Sequence, residues 1–165
     1  MLLELLTAGG LAKLLGAVGL VVVTVIMHAA GFSALLRAMM RSHALATSGF
    51  LPVTRFVIVV TCWLIVIHLI EISVWGLFYF WRGCLPDAES AFYFSGVTYT
   101  TVGYGDLVLS KPWRMLAPLE ALTGILMGGL STGLFFALVS RWIGNWTRWR
   151  AAWEPPSAAP AKTEP

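Results

Sequence analysis

Thr101-Val102-Gly103-Tyr104-Gly105, followed by Asp106, is the stretch of this chain whose residue types and spacing could do chemistry. A cation stripped of its water needs a cage of oxygens. Stacked rings of backbone carbonyls supply one, and the Thr101 hydroxyl can add a last ring. Turning successive carbonyls to one side asks for alternating right- and left-handed backbone angles. Glycine takes the left-handed ones without a Cβ penalty, and Gly103 and Gly105 are spaced for that. Val102 and Tyr104 alternate with them, so their side chains are expected to point outward and pack as a cuff. One chain supplies one loop, so a closed ring takes four chains. A lone G-x-G would be an ordinary glycine turn. Here the string is six residues long and lies between two apolar segments.

Those segments must hold the loop, and composition says in what medium. The chain has 165 residues, 58% of them hydrophobic and 12% charged, with a mean hydropathy of +0.81. Between Lys13 and Arg37 lie 23 residues whose one ionisable side chain is His28. Between Arg55 and Arg82 lie 26, interrupted by His68 and Glu71, and between Arg114 and Arg141 lie 26, interrupted by Glu120. A helical span needs about 20 residues, so the reading is an all-α membrane protein with three transmembrane helices. Residues 1–36 form an N-terminal segment and first span, 37–55 a cytoplasmic loop, and 56–141 the central domain. Residues 142–165 are an aromatic segment and a proline- and alanine-rich tail that reads as disordered. The start has no basic n-region and carries Glu4, unlike a signal peptide. Cys62 and Cys84 do not make a disulfide framework. The net charge of +3 is spread along loops and forms no nucleic-acid patch.

Lysine and arginine placement orients the chain. The 37–55 loop carries Arg37, Arg41 and Arg55 with no acid, and the tail carries Arg141, Arg148 and Arg150. That puts this loop and the C-terminus in the cytoplasm, with the 101–106 loop and the N-terminus outside, in a cell (inner) membrane. Trp75, Trp81 and Trp113 fall near the outer boundary. Trp142, Trp146, Trp149 and Trp153 recur at helical spacing past the inner end, as an interfacial helix continuing the third span.

Between the second and third spans, residues 88–100 read as a helix of about three turns, with Asp87 as N-cap and Glu89 in its first turn. This helix would re-enter the membrane and end at the loop, since irregular backbone at that depth is tolerated only inside protein or beside water. Its C-terminal end, worth about half a negative charge, favours a cation there.

The string Tyr93-Phe-Ser-Gly-Val-Thr-Tyr-Thr-Thr-Val-Gly-Tyr-Gly-Asp106 resembles the potassium-channel pore family, as in small bacterial channels of the two-helix-plus-pore type, over about residues 54–141. Thr101–Gly105 is recognised as that family's selectivity-filter string. The resemblance implies an outer helix at 56–81, a pore helix at 88–100, a filter at 101–105 and an inner helix at 113–141, assembled as a tetramer around a central pore. It implies K+ bound at Thr101, Val102, Gly103 and Tyr104, with no cofactor beyond the permeant ion. Many family members have a tryptophan at the position of Tyr93 that bonds the aspartate after the filter, so the Tyr93 hydroxyl is expected to reach Asp106. Where some members carry a glutamate, this chain has Val97. The family's inner-helix hinge glycine falls on Gly124 or Gly128, and tight packing against the pore helix is the other reading of either.

Glu71 and Glu120 need an account, because a charge at mid-membrane costs about 2.5–3.5 kcal/mol or more. Glu71 lies about 24 Å up a helix from Arg55, and Glu120 about 9 Å down from Arg114. Both therefore fall level with the filter and are expected in the shell behind it, satisfied by Ser95, Thr98 and Tyr99. His68 and Glu71 share a helical face and can pair. Each of these is either a filter support or a satisfied buried group that fixes packing.

Ser131 and Thr132 are expected to face the cavity, and Phe135 and Phe136 to narrow its mouth. The first span has no arginine every third residue, so it is no voltage-sensing helix, and it is expected to pack outside the second. An enzyme is not expected, for want of a Ser-His-Asp constellation or a His/Cys/Asp metal cluster. The absence of G-x-x-x-x-G-K-[ST] argues against nucleotide-driven transport. The expectation is a homotetrameric channel passing K+ passively, with membrane lipid, K+ and its own copies as partners. The rivals are a less selective cation channel, a pore subunit needing a different chain, and a membrane adaptor with a vestigial loop.

Overall fold

The computed structural model describes residues 8–41 and 50–152. Four α-helices make up the regular structure there: α1 (Ala8–Arg41), α2 (Phe50–Trp81), α3 (Ala88–Tyr99) and α4 (Leu116–Ala152). The three long ones, of 34, 32 and 37 residues, are each long and apolar enough to cross a membrane. At 1.5 Å per residue all exceed a hydrocarbon core of about 30 Å.

These ends differ from the expected spans for one reason. An arginine ends an apolar stretch, but it does not end a helix. Arg37-Ala-Met-Met-Arg41 are good helix formers, so α1 runs on past 36. α2 starts at Phe50 rather than 56, with Pro52 in its first turn, where its missing N–H costs nothing. α4 starts at Leu116 rather than 113, because Ser110–Met115 form turns, with Trp113 N–H donating to Ser110 O (2.9 Å) and Leu116 N–H to Trp113 O (2.9 Å). Pro118 then falls in its first turn and no kink is needed. At its other end α4 takes the residues from Trp142 to Ala152 into the same helix. The expectations for Trp153 and the tail lie outside the described residues.

Helical spacing decides the packing. The buried side of α1 is Ala17, Leu20, Thr24, His28, Leu35 and Met39, and that of α2 is Val60, Leu64, Ile67, Glu71, Trp75 and Tyr79. Both are stripes at steps of three, four and seven. Ala17 and Leu20 join a core with Trp75, Tyr79, Phe94, Tyr99, Leu116 and Met127. At the other end Leu35 and Met39 join Phe56, Val60, Leu64 and Leu138. Hence α1 is antiparallel to α2 and parallel to α4. It touches α2, against which it was expected to pack, and α4 as well, where His28 Nε2 lies 3.5 Å from Ser131 Oγ.

α3 lies within this bundle near one end. Its Asp87 cap is extended (φ −149°, ψ 169°) and accepts from Ser90 N–H (2.8 Å) and Ser90 Oγ–H (3.0 Å). Those bonds hold the Asp87 carboxyl below its ordinary value. Thr100 closes the helix, its N–H donating to Gly96 O at 3.1 Å. Outward, the long helices expose Val22, Ile26, Ile65, Leu69, Ile125 and Leu126. Apolar surface on this scale suits lipid and neighbouring copies rather than water.

Candidate functional site

The loop after α3 is held from both sides. Thr101 N–H donates to Thr98 O (2.9 Å) and Gly103 N–H to Val97 O (3.0 Å), which ties the loop's start to the last turn of α3. Beyond it, Tyr93 Oη–H donates to Asp106 Oδ2 (2.8 Å) and Leu107 N–H to Asp106 Oδ1 (3.0 Å). Gly103 and Gly105 have φ of 50° and 79°, the left-handed values glycine takes freely. Thr101 has φ 62° as well. For a β-branched residue this is a strained conformation costing on the order of 1–3 kcal/mol. Positive φ was expected at the glycines alone. Val102 and Tyr104 are 52% and 72% exposed. The expected cuff is therefore not made within one chain.

Behind the loop the two buried carboxylates stand in separate networks. Glu120, fully buried on α4, accepts from Tyr79 Oη–H (2.7 Å) on α2 and Ser95 Oγ–H (2.5 Å) on α3. Ser95 Oγ also lies 2.8 Å from Ile72 O. Glu120 thus links all three elements that frame the loop. Glu71, also fully buried, accepts from Tyr99 Oη–H. Its Oε1 lies 2.7 Å from His28 Nδ1 and its Oε2 3.2 Å from His68 Nδ1. Of the three hydroxyls expected beside these glutamates, Ser95 and Tyr99 reach them. Among the described residues no buried side-chain polar atom lacks a partner.

Four participants were missed. His28 brings α1 into the Glu71 network. Trp75 Nε1–H donates to Thr24 Oγ1 (3.1 Å), a second tie to α1. Tyr79 supports Glu120. Ser131 was assigned to the cavity, but it is buried and its Oγ lies 2.9 Å from His68 Nε2 and 3.5 Å from His28 Nε2. Spacing held a signal for three of them: Trp75 and Tyr79 follow Glu71 at four-residue steps, and His28 shares a face with Thr24. The expectation of no metal-type cluster is also corrected. His28, His68 and Glu71 each offer a ligand atom within 4.8 Å of the others, because α1 folds back over α2 and joins residues 40 and more apart.

The two hinge candidates have different surroundings. A Cβ on Gly124 would fall on the Tyr99 carbonyl oxygen, whereas one on Gly128 would meet nothing within 4 Å. Gly124 is therefore the point where α4 presses against the end of α3. Beside it a groove of about 380 Å³ is lined by His68, Tyr99, Thr101, Gly124 and Gly128, among others. It joins the start of the loop to the Glu71 network.

No curated protein and no solved structure matches the chain. A family model described as "Ion channel" matches residues 56–143, just over half of the length, taking in α3, the loop, nearly all of α2 and most of α4. The chain therefore belongs to the ion channel family, in its two-helix, potassium-channel-like pore group.

Proposed function

We propose that this chain is one quarter of a homotetrameric potassium channel that passes K+ down its electrochemical gradient. The observation that carries this reading is the 101–106 string at the C-terminal end of α3, with left-handed backbone at Thr101, Gly103 and Gly105. Carbonyls of Thr101, Val102, Gly103 and Tyr104, with the Thr101 hydroxyl, replace the ion's hydration shell, and ions move by knock-on between adjacent sites. α3 is the re-entrant pore helix, and its carbonyl end favours a cation in the cavity below. The cavity is lined by α4. Gly128, with open space at its Cα, is the better placed hinge, while Gly124 is the packing contact.

Four copies are supported by the exposure of Val102, Tyr104 and the apolar residues Leu122, Ile125, Leu126 and Leu130 of α4, which a neighbouring copy would cover. The arginine-rich ends of α1 and α4 face the cytoplasm and the loop faces outside a cell membrane.

The test is flux from liposomes holding the purified chain, with K+ or Na+ as the gradient ion and Ba2+ as blocker, alongside its mass in detergent. Potassium-selective, barium-blocked flux from a particle of four chains is expected. Equal K+ and Na+ flux would replace this reading with that of an unselective cation channel. A silent monomer would leave an adaptor.

A further inference from the structure

We propose that His28, His68, Glu71 and Tyr99 form a binding site for one divalent transition-metal ion, of which Zn2+ is the best match. The donors come from three helices that the chain brings together only by folding: His28 from α1, His68 and Glu71 from α2, Tyr99 from the end of α3. His28 Nδ1 to Glu71 Oε1 is 2.7 Å, His68 Nδ1 to Glu71 Oε2 3.2 Å, and His68 Nδ1 to Tyr99 Oη 3.1 Å. Tetrahedral Zn2+ with bonds of about 2.0–2.2 Å spaces its ligand atoms by roughly 3.3–3.5 Å. These pairs, and the still shorter Tyr99–Glu71 contact, are tighter than that spacing, so the side chains must part to admit an ion, and the ligand atoms of His28, His68 and Glu71 all lie within 4.8 Å of one another. Imidazole nitrogen with carboxylate oxygen is a donor set that suits zinc, and Tyr99 joins it as a ligand only by releasing its phenol proton.

The far side of the imidazoles supplies a second, separate argument. Ser131 Oγ lies 2.9 Å from His68 Nε2 and 3.5 Å from His28 Nε2. A hydroxyl has one proton and two lone pairs. It can donate to one Nε2 only, but it can accept from both. If it accepts from both, both Nε2 atoms carry protons and both Nδ1 lone pairs face Glu71, the tautomer in which Nδ1 can bind a metal. In that tautomer a shared cation stands where the Nδ1 protons would otherwise be, and its charge offsets a carboxylate that no solvent reaches. Ser131 then plays the part that outer hydrogen-bond partners play at metal-bound histidines, fixing tautomer and ring orientation.

An ion can also reach the site. Glu71 is sealed, but the His68 side chain is 23% exposed and forms a wall of the groove that ends at Thr101. A bound ion would fasten α1 and α2 to Tyr99, two residues before Thr101. On the proposed channel reading, metal would thereby stiffen the filter's inner end. The binding claim itself does not need that reading.

The experiment uses the full chain in detergent, stripped with a chelator. Zn2+ uptake is followed by calorimetry, and Co2+ uptake by the visible absorption that marks tetrahedral coordination. One ion per chain is expected. H28A and H68A should abolish saturable uptake, and S131A, which removes no ligand, should weaken it by about 10–100-fold. Circular dichroism and the elution volume of each variant confirm that it remains folded. Two results would overturn the site: no saturable uptake by folded wild type, in which case shared protons alone hold the group, or uptake undiminished in the H28A/H68A double variant, which places the ion elsewhere. Potassium flux with and without Zn2+ is measured on the same samples. A chain that binds Zn2+ but passes no K+ sinks the channel reading and leaves the metal site standing.

Discussion

Tyr93 and Asp106 show how one hydroxyl can carry a structural duty. The Tyr93 hydroxyl donates to Asp106 at 2.8 Å, while Asp106 also accepts the Leu107 N–H. The pair thus spans from α3 to the far end of the loop, where few other bonds act. On the channel reading, Y93F should reduce steady K+ flux several-fold, because the outer end of the filter loses its brace. Y93W, which keeps an N–H donor, should recover most of it. Flux from liposomes compared at equal protein is the measurement, and equal flux from Y93F and wild type would remove the role. This tie was legible in the string, through resemblance, because both partners lie in one short segment. His28 was not. A lone histidine in an apolar span announces that it needs a partner, but nothing local says that the partner is Glu71, 43 residues away. Thr101 was legible only as an oxygen donor. Its left-handed backbone comes from closing a turn between the end of α3 and the glycines, a constraint of three dimensions.

At the scale of elements, close approach and capping set the positions of α3 and α4. α4 meets α3 at Gly124, where any side chain would run into the Tyr99 carbonyl. G124A should therefore force the helices apart and lower the stability of the fold, by about 1–3 kcal/mol as overpacking does. G128A, beside open space, should match or exceed wild type, since alanine favours a helix over glycine by about 0.5–1 kcal/mol. Melting the detergent-solubilised protein distinguishes the two, and equal melting temperatures would show that α4 does not bear on α3. Capping offers a pH prediction. Asp87 has a folded pKa below its ordinary 3.8, owing first to the Ser90 N–H and then to the Ser90 hydroxyl. A depressed folded pKa means stability that is present above the ordinary value and is lost as pH falls through the folded one. Wild type should lose melting temperature as pH falls below about 4. D87N, which caps without titrating, should lose less over the same window, and parallel curves would rule the cap out as a source. The existence of α3 and its cap was legible from Asp87 and Glu89. The lengths of α1 and α4 were not, because charged residues end apolar runs without ending helices.

For the whole molecule, α1 is the element that most changes the expected architecture. The family match begins at residue 56, so the matched domain lies wholly outside α1. Yet α1 supplies His28 to Glu71, Thr24 to Trp75 and Leu35 and Met39 to the second core. Removing residues 1–41 should leave the matched domain but lower its melting temperature, since each buried polar group left without its partner costs about 1–3 kcal/mol. An unchanged melting temperature would show that α1 only rides on the outside. The sequence alone determined the medium, the three spans and the short helix that leads into the loop. These follow from hydropathy, helical length and local caps, which are properties of neighbours in the chain. Which faces meet was decided only by the tertiary structure. In a membrane chain the outward face is as apolar as the core, so the pattern of apolar and polar residues that marks the buried side of a soluble helix is nearly absent. The few polar residues then find their partners by the fold: Ser131 turns to the histidines rather than the cavity, and Glu71 and Glu120 enter separate networks, because α1 and α3 pack where no run of neighbouring residues records it.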